Sequence, residues 1–312
     1  GARQVGKSTA VRNLGKSFTR FVEINFERNR EYVAVFKDNL DVKRIISIIS
    51  AMFGQSIVAG KTLLFFDEIQ LCPEAIMSLR FFKEEMPELH VVAAGSLLEF
   101  ALAELPTYGV GRIHSMFMYP MSFDEFLEAC GEHLLLVARR SAGPANPLPE
   151  TLYDKLVNLT RTYMLVGGMP EVVLKWVETR DYIQCQQIQD DLVLGYEDDF
   201  PKYRKRINPD LLRQALRSAA QQACKKFVYA EVGGKYRTEE VKDAVEMLIL
   251  AGLLIPVVRT AANGLPLGNE TDRSFRKMLV FDPGIMLRLL NMALGDNSEL
   301  VKTILTAAAA DI

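Results

Sequence analysis

The sequence predicts an α/β domain, a parallel sheet with helices on both faces, followed by a helical subdomain and a section of helices closed by a two-stranded ribbon. Three observations predict it. Solidly apolar runs such as Thr62 to Phe66 (TLLFF) and Leu89 to Ala94 (LHVVAA) read as strands buried on both faces. Stretches of helical periodicity separate them, and strands alternating with helices argue for a parallel sheet. Beyond Met121 the pattern turns helical, and the last third ends in two strand-like runs joined by a turn-rich loop.

In chain order, Gly1 to Ser8 reads as a glycine-bounded loop that enters a helix, and Arg20 to Phe26 (RFVEINF) as a strand. A helical region follows around Asp41 to Phe53, then the strand Thr62 to Phe66. Pro73 opens a helix with Ile76, Leu79 and Phe82 at helical spacing. Leu89 to Ala94 is a buried strand stopped by Gly95, and Ile113 to Met118 is expected to be a further strand before Pro120. Ser122 to Ala129 reads as helix, and the loop Ser141 to Glu150 (SAGPANPLPE) follows. Helical periodicity runs from Thr151 to about Tyr196, broken by Gly167-Gly168 and Pro170. The last section reads helix (Leu211 to Ala223), short segment (Phe227 to Val232), helix (Thr238 to Ala251), then strands Leu253 to Thr260 and Arg276 to Phe281. That is the outline of a winged helix. The expected divisions are 1–128, 129–205 (helical), 206–295 (winged helix) and 296–312, the start of a further region.

Composition excludes several classes. Lys and Arg number 37 against 39 Asp and Glu, so any nucleic-acid surface must be a local patch. Cys72, Cys130, Cys185 and Cys224 stand far apart, as do His90, His114 and His133, which argues against a disulfide framework and against a Cys/His metal site. The longest uncharged apolar run, Met247 to Val258, is too short to span a bilayer, and no signal peptide is visible. The expectation is a cytoplasmic protein. Nothing precedes Gly1, although a phosphate-binding loop normally leaves a strand, so the sequence is expected to be a piece of a longer chain.

The residues that carry chemistry begin at the first position. Gly1-Ala2-Arg3-Gln4-Val5-Gly6-Lys7-Ser8 matches G-x-x-x-x-G-K-[ST] in full. Glycines let backbone N–H groups curl around phosphate oxygens, and the following helix aims its positive N-terminus at them. Lys7 would reach the β- and γ-phosphates, the Ser8 hydroxyl would ligate Mg²⁺, and Thr9 would contact the α-phosphate. A chance match in a chain this long is on the order of one in a hundred. A second motif, Leu63-Leu64-Phe65-Phe66-Asp67-Glu68, sets two acids after a buried strand. Asp67 would complete the Mg²⁺ shell, and Glu68 would act as general base on the attacking water. Alone, such a pair equally marks a helix start, as Pro73 nearby allows.

Further positions stay open between two readings. Ser96 would meet the γ-phosphate or the water, or cap a helix with Glu99. Arg112 would stabilise transition-state charge, in cis or across a subunit interface, or lie on the surface. Gln70 would help hold the water, or be solvated. Lys202-Tyr203-Arg204-Lys205-Arg206 would contact phosphate backbone, or pair with the preceding Glu197-Asp198-Asp199. The helix Thr238 to Ala251 carries Glu239, Glu240, Asp243 and Glu246 against Lys242, a charge pattern unfavourable for entering a groove.

Taken together, these residues make the sequence similar to a bacterial and archaeal family of AAA+-class ATPases that couple an N-terminal P-loop domain to a C-terminal region of unknown function. The resemblance rests on GARQVGKST (Gly1 to Thr9), LLFFDEIQ (Leu63 to Gln70) and AAGSLLEF (Ala93 to Phe100). It extends through GVGRIHSMFMYPMSFDEFL (Gly109 to Leu127), YMLVGGMPEVV (Tyr163 to Val173) and the section from Lys226 to AGLLIPVVRTAANGLPL. It implies ATP rather than GTP, a helical lid and a winged helix. The resemblance implies a strand before the loop and a nuclease-like α/β fold further on, both expected outside residues 1–312, and Asp282-Pro283-Gly284-Ile285 stands where Asp-x-Gly-Leu is usual. The expected function is an Mg²⁺-dependent ATPase acting as a conformational switch on a protein client or as a homo-oligomer. The alternatives are a DNA-binding regulator whose winged helix is gated by ATP, and a phosphotransferase, against which the Asp67-Glu68 pair argues.

Overall fold

The computed structural model describes residues 2–95, 111–203, 207–261, 263–264 and 271–292. Contacts divide the chain into two compact units, residues 1–118 and 119–312. Among the described residues no helix is long and apolar enough to cross a membrane.

The first unit is built on three parallel strands, β1 (Arg20–Asn25), β2 (Thr62–Asp67) and β3 (His90–Ala94), in the order β1-β2-β3. The register aligns Asn25 with Asp67 and Asp67 with Ala94, so the three strands end together at one edge. Every residue of β2 is buried, as its uninterrupted apolar run requires of a central parallel strand. Helix α1 (Lys7–Gly15) leaves the opening loop, and α2 (Val42–Phe53) and α3 (Pro73–Glu85) pack on the sheet. In α2, Val42, Ile45, Ile46 and Ile49 recur at helical spacing and are all buried; Asp41 caps the helix by accepting from Arg44 N at 2.8 Å. Gly54 ends it at φ +61°. Phe26, Phe36, Phe66 and Phe82 interlock, largely edge to face, and each buried ring contributes about 1.5–3 kcal/mol. The expected strand Ile113 to Met118 is not one. These residues run irregularly, with Met116 87% and Phe117 58% exposed, and among the described residues no strand lies beside them to complete a ladder.

The second unit begins with α4 (Phe123–Ala129), whose Ser122 forms a capping box with Glu125. Next come α5 (His133–Ser141), α6 (Glu150–Val166), α7 (Pro170–Thr179) and α8 (Tyr182–Asp199). The α6–α7 break falls at Gly167-Gly168, where Gly167 takes φ +76° and a Cβ on Gly168 would lie 2.1 Å from the Met121 carbonyl oxygen. That approach is used: Met121 N donates to Gly168 O at 2.7 Å, and Tyr163 Oη donates to Met121 O at 2.7 Å. A second break, absent from the sequence reading, separates α7 from α8. Arg180 turns left-handed at φ +55°, and Asp181 caps α8 by accepting from Ile183 N.

Helices α9 (Pro209–Gln221) and α10 (Thr238–Leu250) follow, then the antiparallel hairpin β4 (Leu254–Thr260) and β5 (Thr271–Val280). Phe227 N donates to Arg276 O at 2.8 Å, laying the segment between α9 and α10 along the free edge of β5. The segment itself holds only a short 3₁₀ turn, Tyr229–Glu231. The last described helix, α11 (Pro283–Leu289), is capped by Asp282.

Candidate active site

The loop before α1 bends sharply. Gln4 has φ +61° and Gly6 φ +91°, and the buried Ala2 and Val5 anchor it from below. Gly6 occupies the N-cap position without a side-chain cap bond, and no acid lies in the first turn of α1. The first N–H groups of that helix are therefore available to an external anion. Lys7 Nζ donates across the loop to Ala2 O. Burial lowers the Lys7 pKa, and Arg3 adds to this, while Glu68 and Asp67 oppose it.

Asp67 sits at the carboxyl end of β2 with 4% of its surface exposed. Ser8 Oγ donates to its Oδ1 at 2.9 Å, across 59 residues of sequence. Asn25 Nδ2, one strand over and in register, donates to Oδ2 at 3.0 Å. Arg12, one helical turn after Ser8, brings Nη2 to 3.7 Å from Oδ2 while forking onto Glu23 at 2.9 and 2.7 Å. One carboxylate thus gathers a hydroxyl, an amide and a guanidinium from α1 and β1.

Glu68 follows in the left-handed region at φ +52°, ψ +42°, which costs a non-glycine residue about 1–2 kcal/mol. Strain of this kind concentrates at functional sites. The conformation turns Glu68 out of the strand direction before Ile69, fully buried, pins the next turn. Gln70 Nε2 donates to Glu68 Oε2, and Gln70 Oε1 is buried without a hydrogen-bond partner.

The sequence-predicted residues therefore divide. Lys7, Ser8, Asp67, Glu68 and Gln70 are brought together. Ala2, Arg3, Gln4, Val5 and Gly6 form the loop over them, and Thr9 is exposed at the start of α1. Arg112 is half-exposed and ion-paired with Glu84 in the last turn of α3, whereas Asp67 and Glu68 precede that helix's first turn. Gly1, Ser96, residues 204–206 of the basic cluster and the region 296–312 lie outside the described residues. Sequence reasoning missed Asn25, Arg12 and Glu23. A signal existed for one of them: Arg12 stands four residues after Ser8 on one helix face.

Residues 1–127 match the family model of an AAA domain. An AAA-type, nucleotide-binding P-loop domain occupies this part of the chain. Residues 157–295, outside the AAA domain, match a domain of unknown function (DUF8612). A search among curated proteins finds no match. Among solved structures, the chain is similar to a Walker-type ATPase of Pyrococcus abyssi, at 16% identity, TM-score 0.54 and coverage of 93% of this chain and 89% of that one. At this identity the likeness shows the fold. The ORC1 protein of Aeropyrum pernix, solved in complex with DNA, aligns at 13% identity over 93% of this chain and 85% of that one, with a TM-score of 0.34, too low to carry an argument.

Proposed function

We propose that the chain binds and hydrolyses Mg·ATP and that nucleotide state acts as its conformational switch. The observation that carries this reading is the 2.9 Å contact between Ser8 and Asp67, which joins the AAA domain's phosphate loop to the acid at the end of β2. The pair fits Mg²⁺: a hard cation takes oxygen donors, one or two from protein, and keeps the remaining positions for water and phosphate. When bound, Mg²⁺ neutralises charge on the β- and γ-phosphates. Arg12 and Asn25 hold Asp67 in position from the side away from Ser8.

In this reading Lys7 exchanges Ala2 O for phosphate oxygens, and the open N-terminus of α1 receives the β-phosphate with Ala2 to Gly6 wrapped around it. Thr9 contacts the α-phosphate. Glu68 accepts a proton as water oxygen bonds to the γ-phosphorus, and ADP departs with the electron pair of the broken P–O bond. Gln70 fixes the Glu68 carboxylate through Nε2, which leaves its unpartnered Oε1 as an acceptor for the same water. The roles assigned to the remaining two are contact of the Ser96 hydroxyl with the γ-phosphate or the attacking water, and exchange by Arg112 of Glu84 for transition-state charge, in cis or across a subunit interface. We read residues 129–205 as a helical subdomain and 206–295 as a winged helix, supported by the α9, α10, hairpin order and by the Phe227 pairing to β5.

The test is Mg²⁺-dependent ATP hydrolysis with two variants. Lys7→Ala should abolish ATP binding. Glu68→Gln should bind ATP and lose roughly 10²–10⁴-fold in turnover. Undiminished turnover in Glu68→Gln would remove the assigned base, and ATP consumption only with an added acceptor would point to a phosphotransferase.

A further inference from the structure

The hairpin of the second unit carries a surface that ATP hydrolysis does not use. Phe227, Met278 and Val280 are buried, so the alternate residues Lys226, Phe275, Lys277 and Leu279 fall on the outward face. Arg259, on β4, shares that face. The Phe275 ring is flanked by two cations, with Lys226 Nζ 5.3 Å and Arg259 Cζ 5.6 Å from its centroid. Lys277 is exposed two residues along the same strand. Among the described residues, Lys226, Arg259 and Lys277 form no ion pair with a carboxylate. Arg276 behaves differently. It points inward and is bound to Glu246 of α10 at 2.6 Å. Asp272 stands opposite Arg259 in the register.

Two cations on one ring, with a third exposed beside them on the same face, repel each other unless something negative lies over them. The neighbouring helix cannot be what enters a groove. The exposed side of α10 presents Glu239, Glu240, Asp243 and Glu246, against Lys242. Acids thus predominate on the exposed side of α10, and cations around and beside Phe275 on the outward sheet face.

We propose that this outward face, with Lys226 and Arg259 against Phe275 and Lys277 exposed beside them, binds the phosphate backbone of duplex nucleic acid, with α10 turned away from it. Cations carried by β4, β5 and the segment along the β5 edge can contact neighbouring phosphates, and a ring whose face is already taken by cations is a support for them rather than a base-stacking platform. The binding is read as chiefly to phosphate and so largely independent of sequence, because cations spread over one sheet face supply charge without a groove-entering element to carry them to base edges. It does not rest on the ATPase reading.

The experiment is fluorescence anisotropy of a short labelled DNA duplex of arbitrary sequence, titrated with the full chain at several salt concentrations. Three phosphate contacts give a slope of log affinity against log salt of about −2.7, a loss of about 40-fold between roughly 50 and 200 mM salt. Arg259→Ala and Lys277→Ala should each reduce the slope by about 1 without lowering Tm. The triple variant Lys226→Glu, Arg259→Glu, Lys277→Glu should lose binding while keeping its circular dichroism spectrum. Glu68→Gln should bind DNA as the parent does, which separates this surface from the ATPase site. Absence of binding at low salt, or unchanged affinity in a folded triple variant, overturns the proposal. Equal competition by polyglutamate would also overturn it, assigning the face to an acidic protein instead.

Discussion

Two aspartates lie at almost the same depth, one in each unit, and their surroundings could hardly differ more. Asp67 is 4% exposed and Asp282 1%. Asp67 accepts from side chains, the Ser8 hydroxyl and the Asn25 amide, with the Arg12 guanidinium close by. Asp282 accepts from main chain: Gly168 N at 2.7 Å and Ile285 N at 2.9 Å. No ion pair reaches Asp282 among the described residues, and burial pushes its carboxyl up to about 6 despite those donors. Side chains can swing aside for a ligand, whereas backbone N–H groups belong to the fold. The difference separates a carboxylate kept for exchange from one that clamps a loop.

The largest effect that would break this contrast is on turnover. Asp67→Asn should lower ATP hydrolysis by about 10³-fold while Tm hardly moves, because Ser8 and Asn25 can turn to water. Asn25→Ala, which loosens Asp67 without touching Ser8, should cost about 10–100-fold. A large fall in Tm for Asp67→Asn would make it a structural residue like its counterpart. Asp282→Ala should do the reverse. It strands two buried N–H groups, each at about 1–3 kcal/mol, which for a unit of this size lowers Tm by about 5–15 °C in calorimetry. Gly168→Ala strikes the same clamp from the other side. Its Cβ would meet Met121 O at 2.1 Å, and the strain should cost about 1–3 kcal/mol.

The sequence was most readable where local chemistry and burial coincide. The loop Gly1 to Ser8 and the acids after TLLFF are contiguous, so their placement needs only a strand and a helix start. Helices with clear apolar spacing, such as Val42–Phe53 and Pro73–Glu85, were legible for the same reason. What failed was non-local. Ile113 to Met118 has a strand's composition, but a strand exists only with a neighbour. The α7–α8 break hangs on Asp181 accepting from two backbone N–H groups, a capping signal overlooked inside a long periodic stretch. Asn25 joins Asp67 through register, which spans 42 residues and leaves no trace in spacing. Asp282-Pro283-Gly284-Ile285 looked like a departure from a pattern. It is a helix start, with Asp as cap, Pro at the first turn, and Gly because a Cβ would lie 2.4 Å from Gln189 Nε2 and 2.7 Å from Val166 O.

The smallest effect is the one that tests the clamp's charge. The folded value of Asp282 is about 6, raised chiefly by burial, while the unfolded chain ionises near the ordinary value of 3.8. Between these values the folded state holds a proton that the unfolded state has released, so stability falls as pH rises through the window. The sign is opposite to that of a salt-bridged carboxylate. Tyr163, pushed up to about 12 by burial with Asp282 and Glu125 adding to it, stays neutral throughout and contributes nothing to the slope. From pH 5 to 6 the second unit should lose about 1 kcal/mol in denaturant titrations. Asp282→Asn cannot titrate. It should be less stable at every pH, since one of the two N–H groups loses its acceptor, and its stability should be flat across the window. A slope that survives in Asp282→Asn would mean that another group holds the proton, and that the backbone donors keep Asp282 ionised.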